Sequence, residues 1–250
     1  MAVAKKEVTE LQIDRLKQGR LTLRMVGTTP LYFNAMSAKS KRDLLLGAAR
    51  KTKAQRLEIK HHPKQEFIES AYRKSHGETL LCFPAPGVKG AMATAALETA
   101  GITKTSVQRL IFLPDTHIQI WGTPYLKMDI VRSADMSKTP DVRTRAYLPR
   151  WCAEVSIAYV HPTLNAHSIV SLLTNAGAIV GIGDFRQEKG KGSYGCFSVM
   201  GGEETSPLWE ELMKEGRDVQ QAAFDNPTPA DSDTEEMLAF YNEEVLRRAA

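Results

Sequence analysis

The fold is decided by residues 151–200, whose sequence is WCAEVSIAYVHPTLNAHSIVSLLTNAGAIVGIGDFRQEKGKGSYGCFSVM. The first ten residues alternate apolar and polar side chains, which predicts a half-buried strand. Asn165 is a favourable N-cap, and apolar residues then follow at helical spacing, which predicts a helix that ends near Val180. A glycine-rich loop over 181–195 and a closing strand complete the unit.

The remaining elements follow from this unit towards the N-terminus. Alternation, caps and turn residues predict a strand over 21–26, a basic helix from Ala38 through Arg73 with Ser37 as its N-cap, a strand over 80–83, a helix over 91–100, strands over 110–113 and 117–121, and a long hairpin or loop over 122–150. The basic helix contains few apolar residues, so we expect it to stand away from the core.

Two helices on one face of an antiparallel sheet give an α+β fold of the ferredoxin-like (RRM-type) class. The sequence therefore predicts a core over residues 1–200, with a basic helical insertion at about 37–79 and a basic loop at about 122–150. Residues 201–250 are predicted to form an acidic tail, with a linker over 225–233 and a terminal helix.

The charge is distributed unevenly along the chain. Residues 37–74 carry 11 Lys and Arg against 4 Asp and Glu, whereas residues 201–250 carry 4 against 13. A basic body with an acidic tail favours a polyanionic partner. A solvated charged surface gives the same composition, so charge alone leaves both interpretations open.

Length and composition narrow the class of protein. The chain has 250 residues, of which 42% are hydrophobic and 25% are charged, as in ordinary globular domains. No run approaches the ~18–20 consecutive apolar residues of a membrane helix, and the N-terminus lacks the pattern of a signal peptide. Cys82, Cys152 and Cys196 form no CxxC pair. We expect a cytoplasmic protein with no membrane partner, structural zinc site or cofactor.

The glycine-rich loop combines flexible backbone with positive charge. Its glycines permit positive φ angles and a close approach of the backbone, so that amides could face phosphate oxygens. The predicted ligands in this loop are Arg186, Lys189, Gly190, Lys191 and Gly192, with Tyr194 as a surface on which a base could stack. A tight solvated hairpin is the alternative interpretation. The loop completes neither a GxGxxG nor a GxxxxGK[ST] motif, so it does not predict a dinucleotide site or a P-loop.

Other cations are candidates for the same ligand, and the full set is Lys39, Lys41, Arg42, Lys89, Arg143, Arg145 and Arg150, with the aromatic Trp151. The first three begin the basic helix, which continues with Arg50, Lys51 and Lys53 and would form a row of phosphate contacts. Lys89 precedes a predicted helix, where free amides and the helix dipole favour a phosphate. The three arginines near Trp151 and Tyr147 interleave cations with aromatics, a pattern typical of proteins that follow a single strand. Solvated lysines and a core tryptophan are the alternatives.

Catalytic patterns are sparse. His61 and His62 are adjacent and point apart on a helix, so they do not chelate a metal at i, i+4 spacing. Asp115 and His117 would lie on the same side of a strand and form an acid/base pair, although surface roles are more common for such residues. No nucleophile lies in a recognisable elbow. The sequence therefore predicts no catalytic or metal-binding residue.

Three segments together resemble the RAMP superfamily, in particular the backbone subunits of multi-subunit CRISPR effector complexes. The segments are Gly27-Thr-Thr-Pro-Leu31 after the first strand, Phe83-Pro-Ala-Pro-Gly-Val-Lys-Gly-Ala91, and the helix, glycine-rich loop and strand over 151–200. The second is similar to the family's entry to its first core helix, although Pro86 stands where the family has a serine. The resemblance implies a nucleic-acid-binding, RAMP-like fold, and similar loop sequences in phage proteins also suggest a phage-encoded relative.

These observations lead to one expected function and two alternatives. We expect a non-enzymatic protein that binds single-stranded RNA or DNA through phosphates, in several copies along the strand, as a homo-oligomer or within a multi-subunit ribonucleoprotein. The first alternative is a protein-interaction module, such as a phage inhibitor that mimics a CRISPR subunit. The second is a nuclease that uses Asp115 or His117.

Overall fold

The computed structural model describes residues 15–47, 60–132, 139–189 and 192–249. Its strands are β1 (Lys17–Gly27), β2 (Leu31–Tyr32), β3 (Cys82–Pro84), β4 (Ile111–Phe112), β5 (His117–Trp121), β6 (Tyr125–Arg132), β7 (Pro140–Leu148), β8 (Cys152–His161) and β9 (Phe197–Gly201). Its α-helices are α1 (Ala38–Leu46), α2 (Pro63–Ser70), α3 (Ala85–Ala95), α4 (Lys104–Leu110), α5 (Ala166–Ile179), α6 (Pro207–Leu212), α7 (Arg217–Asp225) and α8 (Ser232–Ala249).

The larger sheet has β1 and β8 at its centre. The strand order is β3-β5-β8-β1-β9, β4 also pairs with β8, and the neighbouring strands are antiparallel. The alternation that predicts β1 and β8 places Leu23, Met25, Val155 and Ile157 in the core. An antiparallel sheet within an α+β fold is therefore confirmed.

Helices α3 and α5 pack against each other, and α5 also packs on β1 and β9. The apolar residues of α5 lie in the core because they recur at helical spacing. Asn165 caps α5, since its Oδ1 accepts a hydrogen bond from Ser168 N at 2.8 Å. The predicted strand, cap and helix of this unit are confirmed.

A smaller sheet is formed by β2, β7 and β6 in that order. The segment predicted as a long hairpin or loop is a hairpin whose register runs from Tyr125 opposite Tyr147 to Arg132 opposite Pro140. One face of the hairpin carries Leu126 and Ala146 into the core, while the other carries cations and tyrosines. Four basic residues of this segment therefore lie on a regular strand pair, namely Lys127, Arg132, Arg143 and Arg145.

The basic insertion is divided between two different environments. In the described part of this insertion α1 and α2 are separate helices, whereas one helix from Ala38 through Arg73 was predicted, and Arg50, Lys51 and Lys53 lie outside the described residues. Helix α1 has no buried residue, as expected for an element that stands away from the core. Helix α2 contradicts that expectation, because Phe67 is fully buried with its ring 4.8 Å from that of Phe224.

The acidic C-terminal segment packs on the rest of its own chain. Trp209 and Leu212 of α6 form a small buried cluster with Trp121, and Phe224 of α7 belongs to the main core. The segment over 225–233, interpreted from sequence as a linker, runs beside β6, where Leu126 N donates to Thr228 O at 2.9 Å. The acidic segment is therefore integrated into the fold.

Two helical details differ from the sequence prediction. Helix α3 begins at Ala85, six residues before the predicted start, because prolines are tolerated in the first turn, where backbone N–H groups have no helical partner. Helix α4 was not predicted, since it has seven residues and buries one, Val107.

All three cysteines are buried and free, and burial raises the pKa of Cys82 to about 11 and that of Cys152 to about 12.

Candidate nucleic-acid interface

Helix α1 presents cations to solvent. It begins where Ser37 Oγ accepts a hydrogen bond from Ser40 N at 3.2 Å, which confirms the predicted N-cap. Lys39, Lys41 and Arg42 are exposed, and none of them pairs with an acidic residue in the described part of the chain. Because the helix buries nothing, these cations are available to a ligand.

A cleft of about 310 Å³ opens beside α1. It is lined by the start of α1, by α2, by His61 and by residues 141–145 of β7. The start of the basic helix and the hairpin, which are far apart in sequence, therefore meet at one surface.

The carboxylates in the cleft already have partners. His61 Nδ1 lies 3.0 Å from Glu66 Oε1, and His61 Nε2 lies 3.2 Å from Asp141 Oδ1. A hydrogen bond from Lys60 holds the pKa of Asp141 below its ordinary value. Glu69 accepts a hydrogen bond from Ala38 N at 3.1 Å. These acidic groups are therefore partly neutralised within the protein.

Arg143 is the exposed cation of the cleft. It lies opposite Asp129 in the hairpin, but the Asp129 carboxylate binds Arg145 instead. Arg143 has no acidic partner within residues 15–47, 60–132, 139–189 and 192–249. We call Lys39, Lys41, Arg42 and Arg143 together the basic surface.

Arg145 has a structural position instead of the predicted contact with a strand. Its side chain is 2% exposed, and its guanidinium donates to Asp129 at 2.8 Å and to Asp184 at 2.6 Å. The same group lies over the rings of Tyr32 and Phe185, at 4.7 and 4.4 Å from their centroids. Arg145 thus attaches the glycine-rich loop to the smaller sheet, and burial there raises the pKa of Tyr32.

The amides of the glycine-rich loop do not form the predicted phosphate site where they are described. Ile182 N donates to Gly195 O, Asp184 N to Tyr32 O, and Gly195 N to Pro30 O, at 2.8–3.0 Å. Gly192 lies against Phe185, where a Cβ would be 1.7 Å from the Phe185 carbonyl oxygen. Its lack of a side chain therefore serves internal packing.

The cations of the loop divide into two groups. Arg186 is half-buried and pairs with Glu188 at 3.1 Å. Lys189 ends a short 3₁₀ helix, Gln187–Lys189, while Gly190 and Lys191 lie outside the described residues. Tyr194 is half-buried, with its ring 4.9 Å from that of Tyr32.

The three other predicted ligands contact groups of their own protein. Lys89 is in the second turn of α3, away from the free amides, and its Nζ donates to Gln108 O at 2.9 Å. Arg150 pairs with Glu211 at 2.9 Å. Trp151 is fully buried and donates to Thr29 O, so the prediction that it stacks on a base is wrong.

The acid/base pair suggested by the sequence does not share a strand. Asp115 is exposed and precedes β5, and His117, the first residue of β5, lies 3.2 Å from Thr116 Oγ1 through its Nδ1.

Among the described residues, no three His, Cys, Asp or Glu side chains form a group that could hold a metal ion. In the same ranges, no helix has the length and apolar character needed to cross a membrane.

Sequence reasoning missed part of the aromatic surface on the smaller sheet. Tyr125 lies opposite Tyr147, and Tyr147 also lies opposite Tyr32. The segment over 122–150 was interpreted as a long hairpin or loop, which did not define the pairing of Tyr125 with Tyr147. The contact with Tyr32 depends on tertiary pairing and has no local signal.

Comparison with known proteins does not identify a family. No family model matches the chain, and a search of curated proteins gives no match.

Proposed function

We propose that this protein binds single-stranded RNA or DNA through its phosphates, at the basic surface. The proposal is carried by one observation: α1 buries none of its residues and exposes three cations without acidic partners in the described part, beside a cleft that exposes Arg143. Cations that are not neutralised by their own protein attract a polyanion and release its counterions when it binds.

The arrangement of the core supports the finer fold proposal. Strands β9-β1-β8-β5 have the antiparallel order that a ferredoxin-like (RRM-type) unit requires, with α3 between β1 and β5 and α5 between β8 and β9. Of the three segments that resemble RAMP proteins, the first follows β1, the second enters α3, and the third contains β8, α5 and most of β9. We therefore keep the proposal of a RAMP-like backbone protein, several copies of which would lie along one strand.

The test of this function is the salt dependence of oligonucleotide binding. The measurement is the fluorescence anisotropy of labelled single-stranded RNA and DNA, with the full chain, at several salt concentrations. Because each phosphate contact on a single strand contributes about 0.7 to the slope of log K against log salt, Lys39→Gln/Arg42→Gln should make the slope shallower by roughly 1.4.

The matched control is Lys104→Gln/Arg109→Gln, which removes one Lys and one Arg from exposed positions on α4. It should leave the slope close to that of the unsubstituted protein. Equal slopes for the two double variants would contradict the assignment to the basic surface. No binding by the unsubstituted protein at low salt would contradict the function itself.

A protein-interaction module is the second candidate function, and the exposed end of α1 favours it. Leu44, Leu45 and Leu46 are 73%, 84% and 80% exposed. Three adjacent exposed leucines are typical of a surface that contacts another protein. This function predicts that the protein purifies from cells with the A260/A280 ratio of pure protein and does not bind oligonucleotides. Co-purification of nuclease-sensitive material would favour strand binding.

A further inference from the structure

Four tyrosines lie side by side across the smaller sheet. Tyr125 of β6 is opposite Tyr147 of β7, and Tyr147 is opposite Tyr32 of β2. Directly opposed residues project from the same face of a sheet. Tyr194 continues the series from the glycine-rich loop, and the ring of Tyr32 lies 5.0 Å from that of Tyr147 and 4.9 Å from that of Tyr194. We call these four residues the tyrosine row.

The four tyrosines differ in solvent exposure: one ring is buried and supports the other three, which are accessible. Tyr32 is 2% exposed, whereas Tyr125, Tyr147 and Tyr194 are half-buried. Tyr32 holds the row together through edge and tilted contacts with its neighbours. The opposite face of the hairpin is in the core, so the rings of Tyr125 and Tyr147 are supported from beneath.

A depression at Tyr125 and an exposed cation on β7 adjoin the tyrosine row. A depression of about 60 Å³ lies beside Tyr125 and is lined by Arg150 and Glu215, which pair at 3.4 Å. Arg143 lies four residues before Tyr147 on the same face of β7, about 13 Å along the strand at roughly 3.3 Å per residue. One short segment of an extended strand would therefore contact both the tyrosine row and a cation of the basic surface.

We propose that the tyrosine row is a stacking site for the unpaired bases of a single strand. A base needs a free face to stack on a tyrosine ring, and bases paired within a duplex do not offer one. This inference rests on the proposed function and extends it, because it makes single strands the preferred ligand over duplexes of the same sequence. The basic surface binds phosphates, and the tyrosine row binds bases.

The first experiment separates stacking from charge. Tyr125→Leu/Tyr147→Leu keeps apolar side chains on the sheet and removes two rings, and Tyr241→Leu, at a half-buried position on α8, is the matched control. The double variant should bind a labelled single-stranded oligonucleotide roughly 5- to 150-fold more weakly for each base that no longer stacks, with an unchanged salt slope. Binding to a duplex should not change.

The second experiment uses the unsubstituted protein and a neutral probe without phosphates. Adenosine is titrated into tyrosine-labelled protein, and the ring signals are followed by NMR. The signals of Tyr125, Tyr147 and Tyr194 should shift, while those of Tyr72 and Tyr241 should not. This measurement does not depend on whether the leucine variant folds.

The outcomes distinguish the inference from the function on which it rests. Strand binding that the tyrosine substitutions leave unchanged, with no shift from adenosine, overturns the tyrosine row and keeps the basic surface. Adenosine shifts at the row without strand binding support the row and reject the proposed function. No response in either experiment rejects both.

Discussion

At the scale of single residues, the environment of a cation decides its role. Arg143 and Arg145 are two positions apart on one face of β7, and their sequence context is almost the same. Arg145 is closed off by two carboxylates and two aromatic rings, whereas Arg143 remains exposed at the cleft. Only Arg143 is suited to a ligand.

We predict that Arg145→Met lowers the free energy of unfolding by about 1.5–3 kcal/mol, because it removes the hydrogen-bonded partner that the partly exposed Asp129 and Asp184 share. Arg145→Lys should not restore stability, since an ammonium group does not reproduce the planar fork that contacts both acids and both rings. Urea unfolding followed by circular dichroism gives the measurement.

The control for Arg145 is Arg150→Met, at an exposed ion pair with Glu211. Its urea midpoint should equal that of the unsubstituted protein, since exposed pairs are screened by solvent. If both variants unfolded at the same urea concentration, the structural role of Arg145 would be wrong.

The sequence does not predict the structural roles of the Arg145 and Trp151 side chains, for the same physical reason. The partners of Arg145 include Asp184, which is 39 positions away, and the ring of Trp151 packs on Phe197 of β9. These contacts arise only when the two sheets and the loop assemble. The exposure of Lys39, Lys41 and Arg42 was predictable, since the pattern around them contains too few apolar residues for a buried face.

At the scale of elements, the sequence predicts features that depend on neighbouring residues and misses those that depend on tertiary contacts. Ser37 and Asn165 were identified as N-caps because a cap depends only on the next three residues. The start of α3 was missed because Pro84 and Pro86 were interpreted as a turn, although proline is compatible with the first turn of a helix. The burial of α2 was missed because its partner Phe224 is distant in sequence.

The start of α8 supplies a prediction about pH. Asp231 Oδ1 accepts hydrogen bonds from Thr234 N and Thr234 Oγ1, and its carboxylate also binds Lys127. The hydrogen bond from Lys127, followed by that from the Thr234 hydroxyl, lowers the pKa of Asp231 to about 2. A lowered folded-state pKa stabilises the fold above the ordinary value of about 4, and this contribution disappears as the pH falls towards 2.

We therefore predict that Asp231→Asn is less stable than the unsubstituted protein at pH 7, by at most about 1 kcal/mol because the ion pair is partly exposed. Asparagine keeps the cap, so the difference reports the charge. The difference should shrink between pH 4 and pH 2 in thermal unfolding. Glu203→Gln, at an exposed position in the acidic segment, is the control, and a difference that grew on acidification would contradict the mechanism.

At the scale of the whole molecule, the acidic segment completes the fold. Gln220 is fully buried, and its side-chain oxygen accepts hydrogen bonds from Leu80 N and Leu81 N at 2.8 and 2.9 Å. Its amide nitrogen donates to Ile120 O at 2.9 Å and to Gly122 O at 3.1 Å. One side chain of the acidic segment thus satisfies the backbone at the edge of the larger sheet.

We predict that removal of residues 206–250 abolishes cooperative unfolding, because it exposes Phe67 and leaves buried backbone groups without partners. Removal of residues 247–250, beyond the buried part of α8, should leave the melting temperature almost unchanged. Differential scanning calorimetry compares the two. A sharp transition after the longer deletion would mean that residues 1–205 fold independently.

The burial of every native thiol has a practical consequence for spectroscopy. Cys82, Cys152 and Cys196 are enclosed, so a thiol introduced on the solvent side of α1 would be the accessible one in the folded protein. Leu45, which is 84% exposed, offers an attachment point for a maleimide dye outside the four cations of the basic surface. A fluorophore there would report in real time on whatever approaches the helix.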